Sequence, residues 1–245
     1  MKITMLGTGN ALVTDCYNTC FLLENNKKFF LVDGGGGNKI FSQLKNIGYD
    51  WMNVRNIFVT HKHLDHFTGI IWFVRMICQF MNYGDYKGDA FVYSHEEILN
   101  LIRDISKKLL LEKETRFIAD RLHLIKVSDG ENLKIIDKNF TFFDIHSTKA
   151  KQFGFCLEIE KNKKLTCCGD EPYTEKIKNF AENSDWLLHE AFCLYSEEKI
   201  FDPYEKNHST VKDACEIAEK LRVKNLLLYH TEDKKFKKSR KIVQS

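Results

Sequence analysis

Six residues, HKHLDH at positions 61–66, set three histidines and an aspartate directly behind the apolar run NIFVT. Four ionisable side chains this close repel one another, or stay unpaired, if they are buried without a counter-ion. A bound cation is the economical way to hold them, so the fold must carry this cluster at the mouth of a strand. His61 and His63 can point the same way along an extended segment, while Asp65 and His66 begin the turn of a following helix.

Further groups of ligand type recur at the same kind of position. His146 ends the run FTFFDI, Asp170 ends KLTCCG and His230 ends NLLLY. Each follows an apolar strand, so all can meet at one edge of stacked sheets. Two divalent ions side by side need a shared carboxylate. Asp170 is the natural bridge, with His61, His63 and His146 on one ion and Asp65, His66 and His230 on the other. Nitrogen and oxygen donors suit Zn²⁺ best, with Mn²⁺, Fe or Ni²⁺ as alternatives.

The rest of the chain predicts a scaffold with such an edge. At 245 residues and 43% apolar content it can bury a sizeable core. No Gly/Ser-rich linker, repeat or low-complexity segment marks a seam, so residues 1–245 read as one domain. Strand-like runs KITMLG, NTCFLLEN and KKFFLVDG open the chain, the last two joined at Asn25-Asn26. A helix over KIFSQLKNIGY, the strand NIFVT and a helix over TGIIWFVRMICQFMNY follow. Ser94 and Glu97 then form a capping box for a third helix. The second half repeats this order. RLHLIKV, LKIID, FTFFDIH, FGFCLEIE and KLTCCGD read as strands, with a turn at Asp129-Gly130. Helices at EPYTEKIKNFAEN and TVKDACEIAEKL flank the strands DWLLHEAF and NLLLYH. Strands followed by helices, twice over, predict two sheets face to face with helices outside: a four-layer α/β/β/α sandwich.

Composition narrows the function classes. A net charge of +3 is too small to imply nucleic-acid binding, and the basic run KKFKKSRK, Lys234 to Lys241, reads as a solvated end. The longest greasy stretch, IIWFVRMICQF, is broken by Arg75 and falls short of the roughly 20 residues of a membrane span. With a first segment that reads as a strand and not a signal peptide, a cytoplasmic location away from membranes is expected. The eight cysteines are scattered and read as reduced thiols. Cys16 and Cys20 find no second pair at zinc-finger spacing. GTGN and GGGG read as turns, and His95 and His123 as structural. His189 should face away from its strand neighbour Glu190.

HKHLDH resembles the HxHxDH signature of metallo-β-lactamase-fold hydrolases, and the order His146, Asp170, His230 is similar to the later ligands of that family. Within it the chain looks most like ribonuclease Z and its smaller phosphodiesterase relatives, among them phage anti-Pycsar proteins that destroy cyclic pyrimidine signals. The segments that carry this likeness are LGTGNA, HSTKAKQFGF, CCGD, LLHEAF, NHSTVKDACEIAEKL and LLLYH.

The resemblance implies a four-layer metallo-β-lactamase-like fold, a binuclear metal-dependent phosphodiesterase and, commonly, a homodimer. It implies His208 as the general acid that protonates the leaving oxygen, and Glu190 as the carboxylate that orients it. On the residues alone, His208 reads as an exposed neighbour of a helix cap. Asp65, His208 and Glu190 are the catalytic candidates. The long insertion with which ribonuclease Z clamps tRNA has no counterpart between His146 and Asp170. The expected substrate is therefore a small cyclic phosphodiester such as a cyclic nucleotide, cleaved by a metal-activated hydroxide. RNA, in a ribonuclease Z-type tRNA 3′ endonuclease, is the alternative, as is a lactonase or thioesterase on the same metals.

Overall fold

A computed structural model, described over residues 1–233, shows two six-stranded sheets. The first contains β1 (Lys2–Gly7), β2 (Cys20–Asn25), β3 (Lys28–Val32), β4 (Asn56–Phe58), β5 (Ala90–Ser94) and β6 (Leu122–Lys126), side by side in that order. The second runs from β7 (Asn132–Ile135) through β8 (Lys138–Asp144), β9 (Phe153–Glu160), β10 (Lys163–Cys167) and β11 (Trp186–Glu190) to β12 (Asn225–Tyr229). Each sheet starts as an antiparallel meander. It then turns parallel, from β3 to β6 and from β10 to β12, where helical crossovers intervene.

The strands are apolar on both faces because both faces are covered. In β3, Phe30 and Val32 point between the sheets while Phe29 and Leu31 point outward. Phe30 meets Phe140 of the opposite sheet at 4.6 Å between ring centroids, and Phe58 meets Phe142 at 5.0 Å. Outside the first sheet lie α1 (Lys39–Asn46), α2 (Leu64–Tyr83), α3 (Glu96–Leu109) and α4 (Glu112–Thr115). Outside the second lie α5 (Lys178–Ala181), with Phe180 stacked on Phe143 at 4.2 Å, and α7 (Val211–Lys220). The short α6 (Glu198–Phe201) follows β11. This is the four-layer arrangement that the sequence pattern predicts.

Several local expectations are corrected. The β2–β3 turn falls at Asn26 and Lys27, both with positive φ, one residue later than Asn25-Asn26. Ser94 does not cap α3. It is the fully buried last residue of β5, and its hydroxyl donates to the Val59 carbonyl at 2.7 Å, so His95 precedes the helix without a side-chain cap. The segment EPYTEKIKNFAEN winds only into a 3₁₀ turn, Glu175–Ile177, and the four residues of α5. The basic run Lys234 to Lys241 lies outside the described residues.

The GGGG segment is a turn with a purpose. Gly34 donates its N–H to the His66 carbonyl at 2.8 Å, and Gly69 donates to the Gly35 carbonyl at 2.9 Å, which locks the first turns of α2 against the end of β3. A Cβ on Gly69 would run into the Gly34 carbonyl oxygen. Gly69→Ala is expected to destabilise the protein by about 1–3 kcal/mol, as overpacking does. Urea unfolding measures this, and an unchanged midpoint would contradict the close approach.

Candidate functional site

The C-terminal ends of β3, β4, β10, β11 and β12 deliver polar side chains to one edge between the sheets. Asp33, at the end of β3 with φ +58°, accepts from the Thr60 N–H at 2.8 Å, from the Thr60 hydroxyl at 2.7 Å and from His66 Nδ1 at 2.8 Å. The His66 Nδ1–H is thereby committed, and Nε2 is left to face the cluster. The Thr60 hydroxyl spends its proton on Asp33 and lies 2.9 Å from His61 Nδ1, which turns the other ring nitrogen toward the cluster. His61 likewise presents Nε2.

Those two nitrogens converge on carboxylates. Asp170 Oδ2 lies 3.4 Å from His61 Nε2, 3.5 Å from His66 Nε2 and 3.6 Å from His230 Nε2. Asp65 Oδ2 lies 3.4 Å from His66 Nε2 and 3.3 Å from His230 Nε2. All five residues are buried. Burial would raise both carboxyls, but the surrounding imidazoles outweigh it and hold Asp65 and Asp170 well below the ordinary carboxylate range. For His66 burial acts downward, and Asp65 and Asp33 overcome it to lift the imidazole well above its ordinary value.

The donor set fits divalent metal. His61, His66 and Asp170 form one group, and Asp65, His66 and His230 another, with one ligand atom of each residue within 4.8 Å of the others. His66 Nε2 is buried without a hydrogen-bond partner among the described residues. An imidazole fixed by a carboxylate through one nitrogen, with the other orphaned beside two carboxylates, is the outer-shell pattern of metal-binding histidines. Asp33 escapes ligand-type reading of the sequence. The only signal for it is an aspartate ending the strand KKFFLV before four glycines.

The structure brings together six of the seven predicted ligand residues. Asp65, His66 and His230 meet as one predicted trio does, and Asp170 lies between the groups. His63 is half-buried, its Nδ1 2.9 Å from His61 Nε2, and burial with His61 beside it lowers its pKa to about 4. His146 is the exception. It is exposed, with φ +59° and its N–H held by Asp144 Oδ1 at 2.7 Å. It belongs to none of the close His/Asp groups among the described residues, so the trio predicted with His61 and His63 is not assembled here. Gln152 fills the ground beside His61 instead: its amide lies 2.9 Å from His61 Nδ1 and donates to Asp170 Oδ1.

Next to this cluster stands the pair singled out by resemblance. His208 Nδ1 lies 3.3 Å from Glu190 Oε2, an ion-pair distance without hydrogen-bond alignment. Glu190 is fully buried at the end of β11, and its Oε1 accepts from the Ser209 N–H at 2.5 Å. The His208 ring stacks on Phe192 at 5.0 Å and is equally far from the His230 ring. His208 is buried, not exposed. Thr210, two residues on, caps α7 with Asp213. His189 faces the other way, as predicted, taking the Tyr173 N–H on Nε2 at 3.2 Å.

Asp33→Asn removes the charge that fixes His66 and is expected to lower divalent-metal affinity by about 10–100-fold. Asp170→Ala should lose metal more completely. Elemental analysis after dialysis against a buffered zinc series reads both, and wild-type affinity in Asp33→Asn would contradict its role.

The model of the family described as anti-Pycsar protein Apyc1 matches residues 1–244. Ribonuclease Z of Thermococcus onnurineus is 26% identical, over 94% of this chain and 84% of that protein. Human tRNase Z, short form (ELAC1), superposes with a TM-score of 0.74 at 22% identity, covering 96% of this chain and 94% of that one. The metallo-β-lactamase fold protein YhfI from Bacillus subtilis gives 0.75 at 17% identity, covering 94% and 86%. These superpositions establish the metallo-β-lactamase fold. Together with the family match and the buried His/Asp donor set, they make the chain a metal-dependent hydrolase. By the match along nearly its whole length, it belongs to the anti-Pycsar protein Apyc1 family.

Proposed function

We propose that this chain is a phosphodiesterase acting on small cyclic phosphodiesters, with a cyclic nucleotide as the substrate. The observation that carries the proposal is the Glu190–His208 pair, 3.3 Å apart and packed against the metal-type cluster through the tilted ring of His230. Phosphodiester hydrolysis expels an alkoxide that needs a proton, which this pair can supply, whereas a thioester on the same metals expels a thiolate that needs none. Membership of the anti-Pycsar family supports a cyclic nucleotide. So does the stretch between His146 and Asp170, which is taken up by a loop and the β9–β10 hairpin and offers no clamp for tRNA.

His61, His63, Asp65, His66, Asp170 and His230 would hold divalent metal, for which two Zn²⁺ ions are the first choice. Metal bound there supplies Lewis-acid polarisation of water and of the phosphoryl oxygens. The chain's own residues do the rest. Glu190, fixed by the Ser209 N–H, faces His208 Nδ1 at 3.3 Å and would pair with the ring when it is charged. Phe192 keeps the ring in plane, so Nε2 is the nitrogen left to act. As water adds to phosphorus and the P–O ester bond breaks, His208 Nε2 gives its proton to the departing oxygen, and the water's proton leaves to solvent or a neighbouring base. A 3′,5′-cyclic nucleotide would thus open to a monophosphate with a free hydroxyl.

No helix among the described residues is long and apolar enough to cross a membrane. A cytoplasmic homodimer belongs to the same proposal, and eight free thiols support the location.

His208→Ala is expected to retain its metal and to lose about 10²-fold or more in turnover of a cyclic nucleotide. An aryl diester, which leaves readily, should suffer much less. Equal losses on both substrates, with loss of metal, would recast His208 as a ligand. In a direct comparison, kcat/KM should be higher on a 2′,3′- or 3′,5′-cyclic nucleotide than on precursor tRNA. Efficient tRNA 3′ cleavage without cyclic-nucleotide turnover would restore the ribonuclease Z alternative.

A further inference from the structure

One buried carboxylate outside the metal cluster joins two segments that face it. Glu171, directly after Asp170 and only 7% exposed, accepts from the Ser147 hydroxyl at 2.5 Å on Oε1 and from Asn207 Nδ2 at 3.0 Å on Oε2. Ser147 Oγ in turn receives the N–H groups of Lys149 and Ala150, at 3.1 and 3.2 Å, and so shapes the loop between β8 and β9. Asn207, with φ +52°, immediately precedes His208. Glu171 therefore sets how far Lys149 stands from His208.

The result is a close approach of two nitrogens. Lys149 Nζ lies 3.5 Å from His208 Nε2, the nitrogen assigned to proton delivery. An ammonium has only donors, and a protonated imidazole nitrogen is a donor too. Lys149 is exposed, and among the described residues no carboxylate lies within ion-pair distance of it. An unprotonated Nε2 can accept from Lys149, but once Nε2 carries the proton it is to deliver the two are both donors, and they then suit an oxygen-rich anion placed between them and the Asp65–Asp170 cluster.

We propose that Lys149 is a substrate-binding residue that contacts a non-bridging oxygen of the phosphodiester beside His208, and that Glu171 is the positioning residue that holds it there. This assignment rests on the phosphodiesterase reading above. It gives the site a fixed cation opposite the metal cluster, so that the phosphodiester monoanion is gripped from two sides. A neutral ester would gain nothing from it.

The test uses the full chain loaded with zinc, bis(p-nitrophenyl) phosphate as substrate and inorganic phosphate as binding probe. Lys149→Met is expected to raise KM about tenfold, the size of one charge-assisted contact, while kcat moves less than about threefold. Phosphate affinity measured by calorimetry should fall by a similar factor, and Lys149→Arg should recover most of both. Glu171→Gln, which keeps the volume but replaces one acceptor oxygen with a donor, should raise KM in the same direction. The Glu171→Gln/Lys149→Met double variant should be no worse than Lys149→Met alone, since both act through one contact. Metal content and unfolding midpoint should stay at wild-type values in Lys149→Met. Unchanged KM and unchanged phosphate affinity in that variant would overturn the assignment. If the wild type hydrolyses no phosphodiester, the phosphodiesterase reading falls, and the phosphate titration still decides Lys149.

Discussion

The hydrogen bond from His66 to Asp33, 2.8 Å long and buried between the sheets, is the contact on which the site depends. It settles which imidazole nitrogen faces the carboxylates. It also ties the end of β3 to the first turn of α2, where the Gly34–His66 and Gly69–Gly35 backbone bonds run alongside it. Asp33 bonds Thr60 as well, and through Thr60 it orients His61. One carboxylate thus orders both sides of the cluster before any metal arrives. Without such ordering, three imidazoles and two acids in a dry edge would have several competing hydrogen-bond patterns.

The architecture explains why that edge exists. The helices lie outside the sheets, so the parallel strands of both halves end at the same side, and the chain can place polar groups there without disturbing the aromatic layer behind. That layer is continuous across the sheets through Phe30, Phe58, Phe140, Phe142 and Phe155. The N-terminal half supplies Asp33, His61, Asp65 and His66; the C-terminal half supplies Asp170, Glu190, His208 and His230. The site forms only when the halves pack. Backbone bonds from Asn10 and Thr231 draw the two ends of the described chain together beside His230, and Asn10 Nδ2 adds a bond to Glu232 at 2.9 Å.

Much of this was legible in the sequence, for a physical reason. A ligand-type residue after an apolar strand is costly anywhere except at a functional edge, so HKHLDH, Asp170 and His230 announce themselves. The strand and helix pattern gave the layers because each covered face requires apolar residues. What stayed hidden depends on long-range partners. Asp33 and Glu171 look like ordinary turn carboxylates until Thr60, His66, Ser147 and Asn207 are placed around them. Gln152, 18 residues from Asp170, carries no local signal at all. His146 sits at the right point in the chain, yet it is exposed in a loop whose backbone is held locally by Asp144, which strand-end logic does not see. Ser94 misled because its hydroxyl bonds a neighbouring strand instead of the helix it precedes.

Everything proposed for the chemistry follows from metal held at the Asp65–Asp170 edge. A crystal grown with zinc and recorded on both sides of the zinc absorption edge locates the ions directly by anomalous scattering. The account predicts two anomalous peaks flanking Asp170, one on the His61 side and one beside Asp65 and His230, with His66 Nε2 engaged. A single peak at Cys16 or on surface residues, with the His66–Asp65–Asp170 contacts unchanged, would contradict it.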